Sequence, residues 1–235
     1  MALRIRVDPA PWTTDFERYQ IVRLGRGRAN EVRVGHARVH GQWTVSNTHA
    51  EIRWDGARWT TLNLSDKPGL LRVYEPGYEE VLLEPGRSWA PVRHRWSYGI
   101  GRPDHPFHIV CTTDDHRAAA AIPVTRTGLV GDRDEDPTAS LERVVALSLT
   151  GLEREVLLAY YADFVVLPRP PTLAPRTHED AARRLARSKD STRKAIERVN
   201  EKIGRLADAP PIATGRNVSA EIGRWLARVG ALDPD

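Results

Sequence analysis

The sequence predicts a β + α protein: an all-β domain, a sandwich or a barrel, over roughly residues 1–113, followed by a small helical domain. Three observations carry this. Up to about Thr113, short alternating runs such as Tyr19–Leu24 and Glu51–Trp54 are separated by Gly, Pro, Asn and Asp, the spacing of an all-β domain. Six of the seven tryptophans (12, 43, 54, 59, 89 and 96) lie in this half. From Leu149 onward the apolar residues recur at helical rather than strand spacing.

The elements follow in order. Met1–Val7 alternates apolar with basic residues, as a strand does, and lacks the long apolar core and cleavage site of a signal peptide. Asp55-Gly56, between Trp54 and Trp59, predicts a tight hairpin, because a primed turn needs the positive φ that glycine tolerates. Phe107, Ile109 and Cys111 alternate onto one inner face, which makes Cys111 a buried inert thiol rather than a nucleophile. Residues 114–140, rich in Ala, Asp, Thr and Pro and without a period, read as a linker. A helical domain over 141–235 begins with Leu149, Leu152 and Val156, with Thr150 near its start. Pro168, Pro170, Pro171 and Pro175 then forbid a continuous helix. Thr177 is an N-cap with Glu179 and Asp180 in the first turn, leading into Ala181, Ala182 and Leu185. After a break at 187–190, Thr192, Ile196, Val199 and Ile203 form a second stripe, giving helices over 177–186 and 190–205. A last helix near 219–229 carries Ile222, Trp225, Leu226 and Val229 and stops at Gly230.

The 235 residues have a formal net charge of +4, but ten Lys/Arg face five Asp/Glu between Arg176 and Arg205 alone. That local surplus would draw a phosphate backbone. No apolar run reaches the roughly 18–20 residues of a membrane span, and a single cysteine suits a reducing, cytoplasmic setting. Arginine outweighs lysine, as in proteins of GC-rich bacterial genomes. Gly25-x-Gly27 and Gly99-x-Gly101 lack the following helix of a dinucleotide site, and the histidines and lone cysteine have no zinc spacing. With no Walker loop and no nucleophile elbow either, the expectation is a non-enzyme with no catalytic residue, no metal and no cofactor.

Four pieces in order resemble a forkhead-associated (FHA) domain. They are Gly25-Arg26 leading to Asn30–Val34; Ser46-Asn47-Thr48-His49 running into Ala50–Ile52; Trp59–Leu64 with Gly69; and Leu83–Gly86, Ile100-Gly101 and Phe107–Val110 as closing strands. The resemblance covers about half the chain, 1–113, and implies an antiparallel β-sandwich that reads phosphothreonine-containing proteins, the products of threonine kinases. It places Arg26, Ser46 and Asn47 on the phosphate, with Arg28 and Lys67 as auxiliary donors and Gly25, His49 and Gly69 as structural members of the site. Phosphothreonine carries nearly two negative charges and several acceptor oxygens, which an arginine fork and neutral donors suit. The chain departs from the pattern where the family's asparagine falls on Pro68 and the preceding hydroxyl residue on Asp66 or Lys67. It also has a longer segment from Gly35 to Thr44. An aspartate there opposes phosphate.

The stretch from Leu149 resembles the helix-turn-helix of sigma-factor region 4 and LuxR-type regulators. Thr150-x-x-Glu153-x-Glu155-Val156-Leu157 stands for the first helix; Ala181-Ala182-x-x-Leu185, Ser188-x-x-Ser191-Thr192-Arg193 and Ile196-x-x-Val199 stand for the following pair. This implies contact with double-stranded DNA through Lys189, Ser191, Arg193, Lys194 and Arg198. The proline-rich Leu167–Pro175 is an insertion relative to that pattern. Together the halves suggest a phosphothreonine-responsive regulator of transcription. The alternative is an adaptor whose helical half binds protein instead. Thr125, Thr127 and Thr138 in the linker are conceivable phosphorylation targets.

Overall fold

The computed structural model describes residues 2–8, 12–35, 43–66, 71–102, 106–114, 149–168, 173–206, 209–210 and 218–232. Residues 115–140 of the predicted linker, with its three threonines, and Lys67, Pro68 and Gly69 lie outside these. The chain divides into two compact units, Met1–Glu75 with Glu79–Thr125, and Pro76–Tyr78 with Arg126–Asp235.

Eleven strands are described in the first unit: β1 (Ala2–Asp8), β2 (Trp12–Glu17), β3 (Val22–Gly25), β4 (Val32–Arg33), β5 (Ala50–Trp54), β6 (Trp59–Asn63), β7 (Leu71–Tyr74), β8 (Val81–Leu82), β9 (Ser88–Trp89), β10 (Arg95–Ile100) and β11 (Phe107–Thr113). They form a six-stranded sheet in the order β2-β1-β11-β10-β7-β8 and a five-stranded sheet in the order β4-β3-β5-β6-β9. Alternation decides which side chains go inside. Trp96, Tyr98 and Ile100 from β10 and Ile109 and Cys111 from β11 meet Val22, Leu24, Ile52 and Trp59 of the other sheet in one buried cluster. The Tyr98 hydroxyl bonds across this core to Thr61 Oγ1 and accepts from Trp96 Nε1 at 2.7 Å, so the buried polar atoms of Trp96 and Tyr98 are paired. Burial pushes the Cys111 thiol and the Tyr98 phenol well above their ordinary ranges, and both stay neutral.

Two of three local details differ from the sequence expectation. The pairing is antiparallel except between β3 and β4, which run parallel with Leu24 opposite Val32. The loop between them doubles back, and Glu31 Oε2 accepts from the Arg23 N–H at 2.8 Å, holding the returning chain against β3. The tight turn expected at Asp55-Gly56 is present: the Asp55 N–H donates to Arg58 O at 3.0 Å, and Gly56 takes φ +103°. Asp55 Oδ1 also accepts from the N–H groups of both Ala57 and Arg58 at 2.9 Å, so its carboxylate reinforces the β5–β6 connection. Leu83–Gly86 is a turn between β8 and β9 rather than a strand, with Gly86 at φ +74°.

The second unit contains α1 (Gly151–Tyr160), a 3-10 turn (Ala162–Phe164), α2 (His178–Arg184), α3 (Lys189–Ile203) and α4 (Val218–Val229). Local capping starts three of them: Thr150, Thr177 and Ser188 each accept from the backbone N–H three residues on. Glu153 returns the favour to the Thr150 N–H at 2.8 Å, completing a capping box. Val156, Ala181, Ile196, Val199, Trp225 and Leu226 share the buried core. Among the described residues no helix is long and apolar enough to cross a membrane.

Candidate functional site

At one end of the sandwich, the loop after β3 and the loop before β5 are laced together by their backbones. The Arg26 N–H donates to Ser46 O at 3.1 Å, the Gly27 N–H to Asn47 O at 2.9 Å, and the His49 N–H to Leu24 O at 2.7 Å. These approaches require glycine. A Cβ on Gly25 would lie 2.4 Å from Asn47 O, and one on Gly27 2.9 Å from it. Asn30, buried, braces the same junction: its Nδ2 donates to Gly27 O at 3.0 Å and to Asn47 O, and its Oδ1 accepts from Thr48 Oγ1 at 3.2 Å.

His49 is fully buried and ties three segments: Nδ1 accepts from the Ser46 N–H at 3.2 Å, its N–H reaches Leu24, and its carbonyl accepts from the Leu64 N–H at 2.9 Å. Its imidazole thereby sits below the surface that its neighbours expose, the geometry of a brace.

On this frame stand the candidate ligand groups. Arg26 is half-buried. Its Nε donates to Val45 O at 3.0 Å, and its guanidinium carbon lies 4.7 Å from the centroid of the Trp43 ring. Among the described residues no hydrogen bond engages its two terminal nitrogens. Ser46 is half-buried and Asn47 exposed, so the structure brings the three residues expected on the phosphate to one loop end. Arg28 is exposed on the same loop as Arg26. The hydroxyl of Ser46, expected as a neutral donor, instead donates to Asp66 Oδ1 at 2.6 Å. A serine hydroxyl has one proton, so while Asp66 holds it a phosphate oxygen cannot. Asn30 and Trp43 were missed as site members, since neither a buried cross-brace nor a stacking partner leaves a local pattern.

In the helical unit, Lys189, Arg193, Lys194 and Arg198 are exposed along α3, and Ser191 is half-buried one turn inside the Ser188 cap. Two of these cations are committed within the unit. Arg193 Nη1 pairs with Glu197 at 2.8 Å, and Arg198 Nε lies 3.7 Å from Glu153. Glu153, overlooked from the sequence as a junction, is buried and also takes Lys202 Nζ at 2.8 Å; that bond and the Thr150 N–H hold its carboxyl below the usual range. The α2–α3 link closes as a Schellman turn: the N–H of Ala186 donates to Arg183 O at 3.2 Å and that of Arg187 to Ala182 O at 2.9 Å. Ala186 occupies the left-handed position at φ +52°. Among the described residues no group of three or more His, Cys, Asp or Glu is placed to hold a metal ion.

No family model and no curated protein matches the sequence. Solved structures of FHA domains do match about half of it. The first FHA domain of Rv1747 from Mycobacterium tuberculosis is 21% identical, with 47% of this chain and 94% of that one covered and a TM-score of 0.34. A domain solved in an analysis of phosphothreonine-dependent FHA interactions is 18% identical over 48% of this chain and 97% of its own, with a TM-score of 0.34. The FHA domain of the Chlamydia trachomatis protein CT664 is 10% identical over 48% and 98%, also with a TM-score of 0.34.

Proposed function

We propose that the sandwich unit binds a phosphothreonine-containing protein at the loop end built by Arg26, Ser46 and Asn47, with Arg28 as a second cation. The observation that carries the reading is Arg26. Its Nε is tethered and its guanidinium lies over the Trp43 ring, while no hydrogen bond to a described residue engages the terminal nitrogens, as for an arginine prepared for an anion. Asn47 adds an exposed amide and Ser46 a hydroxyl once Asp66 releases it. Charge-assisted bonds of roughly 1.5–3 kcal/mol each suffice for micromolar recognition of a dianion. The test is a degenerate phosphothreonine peptide pool measured by titration against its unphosphorylated twin. Phosphorylation should raise affinity at least tenfold, and Arg26→Ala should abolish the difference; equal affinities for the two pools would refute the reading.

For the helical unit we propose contact with double-stranded DNA along α3. What supports it is the short capped turn from α2 into an α3 whose outer side carries four cations, the local surplus noted in the sequence. Lys189 and Lys194 lead the proposed contacts, because Arg193 and Arg198 must first exchange carboxylates for phosphates. For the exposed Arg193 pair that exchange costs about 0–1 kcal/mol. Alanine at Lys189 or Lys194 should each reduce the slope of log affinity against log salt by about one. A protein with no affinity for any duplex at low salt would instead make the helical unit a protein-docking element, and the chain an adaptor.

A further inference from the structure

We infer that Trp43 is the positioning residue of the phosphate site: it orients the Arg26 guanidinium so that the two terminal nitrogens, and not the Nε edge, meet the anion. The inference rests on the phosphothreonine reading for its ligand, but its geometry stands in the protein alone.

An arginine side chain has four rotatable torsions and loses much of its rotamer freedom when it binds. Two contacts restrict Arg26 before any ligand arrives. The Nε–H donates to Val45 O, two residues along the chain from Trp43, and the Trp43 ring lies against the guanidinium at 4.7 Å. The first contact holds the Nε edge and the second holds the guanidinium over the indole, so together they restrict its freedom. The tether also removes Nε from the donors available to a ligand. An anion must therefore approach end-on, along the bisector of the terminal nitrogens, where a planar fork presents two parallel N–H groups to two phosphate oxygens. Trp43 lies at the end of the long segment before Ser46, so that segment contributes the aromatic platform while the serine loop contributes the hydroxyl. Lysine at position 26 would keep the charge and lose both restraints, because an ammonium has neither the Nε edge nor a plane to stack.

Two measurements on the full chain test this. In the first, the Nε–H resonance of Arg26, identified by its absence in Arg26→Lys, should be displaced by the indole ring current and slow to exchange. Trp43→Leu, which keeps apolar bulk without a π face, should return it to the ordinary arginine position, whereas Trp43→Phe should keep most of the displacement. In the second, affinity for the degenerate phosphothreonine pool should fall about fivefold in Trp43→Leu and no more than about twofold in Trp43→Phe. An Arg26 signal that does not move in Trp43→Leu overturns the inference, as does an equal loss of affinity in the leucine and phenylalanine variants. A wild-type protein whose Arg26 signal responds as expected, but which does not prefer the phosphorylated pool, upholds the positioning and refutes the phosphothreonine reading.

Discussion

Replacing Asp66 by asparagine should tighten phosphothreonine binding. In the free protein the carboxylate of Asp66 accepts the one proton of Ser46 at 2.6 Å. A phosphate that takes the Ser46 hydroxyl must displace that carboxylate, and remains beside it. With the two groups about 5 Å apart, a unit pair repels by about 3 kcal/mol at an effective dielectric of about 20. Asp66 is exposed, so solvent and salt screen that figure to about half. The net expectation for Asp66→Asn is about 1.5 kcal/mol, roughly tenfold tighter binding. Asparagine keeps the shape and adds an amide donor, so Asp66→Ala should gain less. Calorimetric titration of the phosphorylated pool against wild type, Asp66→Asn, Ser46→Ala and the double variant closes a cycle. Ser46→Ala should matter little in wild type, where the hydroxyl is occupied, and should remove much of the gain in the Asp66→Asn background. Unchanged or weaker binding by Asp66→Asn would refute the competition between carboxylate and phosphate for Ser46.

Three further outcomes are expected. Gly25→Ala forces a Cβ to 2.4 Å from Asn47 O and should part the two binding loops, lowering stability by about 2–3 kcal/mol in chemical denaturation and removing the phosphopeptide preference. Glu153→Gln should lower the stability of the helical unit by about 1–3 kcal/mol near neutral pH, since it weakens the cap on Thr150 and the bond to Lys202. Because the folded-state carboxyl of Glu153 is held below its ordinary range, its contribution is fully present above the unfolded value and lost as pH falls through the folded one. Wild type and Glu153→Gln should therefore converge in thermal stability in acid; a gap that persists there would contradict the assignment. Ala186→Gly should stabilise the α2–α3 turn by about 0.5–1 kcal/mol, the relief of a left-handed alanine less the extra entropy of an unfolded glycine. A loss of stability would show that the turn is not strained there.

Much of this protein was legible locally. Strand alternation assigned Phe107, Ile109 and Cys111 to an interior, where Ile109 and Cys111 are buried and Phe107 packs against them half-buried, because a residue's face in a strand depends only on its parity. The helices at 178–184 and 189–203 start and stop within two residues of their expected bounds, because Thr177 and Ser188 act on N–H groups three residues away. The neighbourhood of Arg26 and Ser46 was legible only through the resemblance of their motifs to a known module. Tertiary structure alone decided what those residues hold. Ser46 meets Asp66 across twenty residues of chain, Arg26 reaches Val45 across nineteen, and Lys202 reaches Glu153 across forty-nine. Nothing local encodes such pairs: an aspartate facing only solvent and one accepting from a loop serine look alike in sequence, and a tryptophan before a serine loop reads as one more core aromatic. The parallel β3–β4 pair has the same origin, since its direction follows from where the intervening loop is held and not from the strands themselves. Contacts between close neighbours are constrained by backbone geometry, whereas contacts at long separation depend on how two sheets and two loops come to rest against each other.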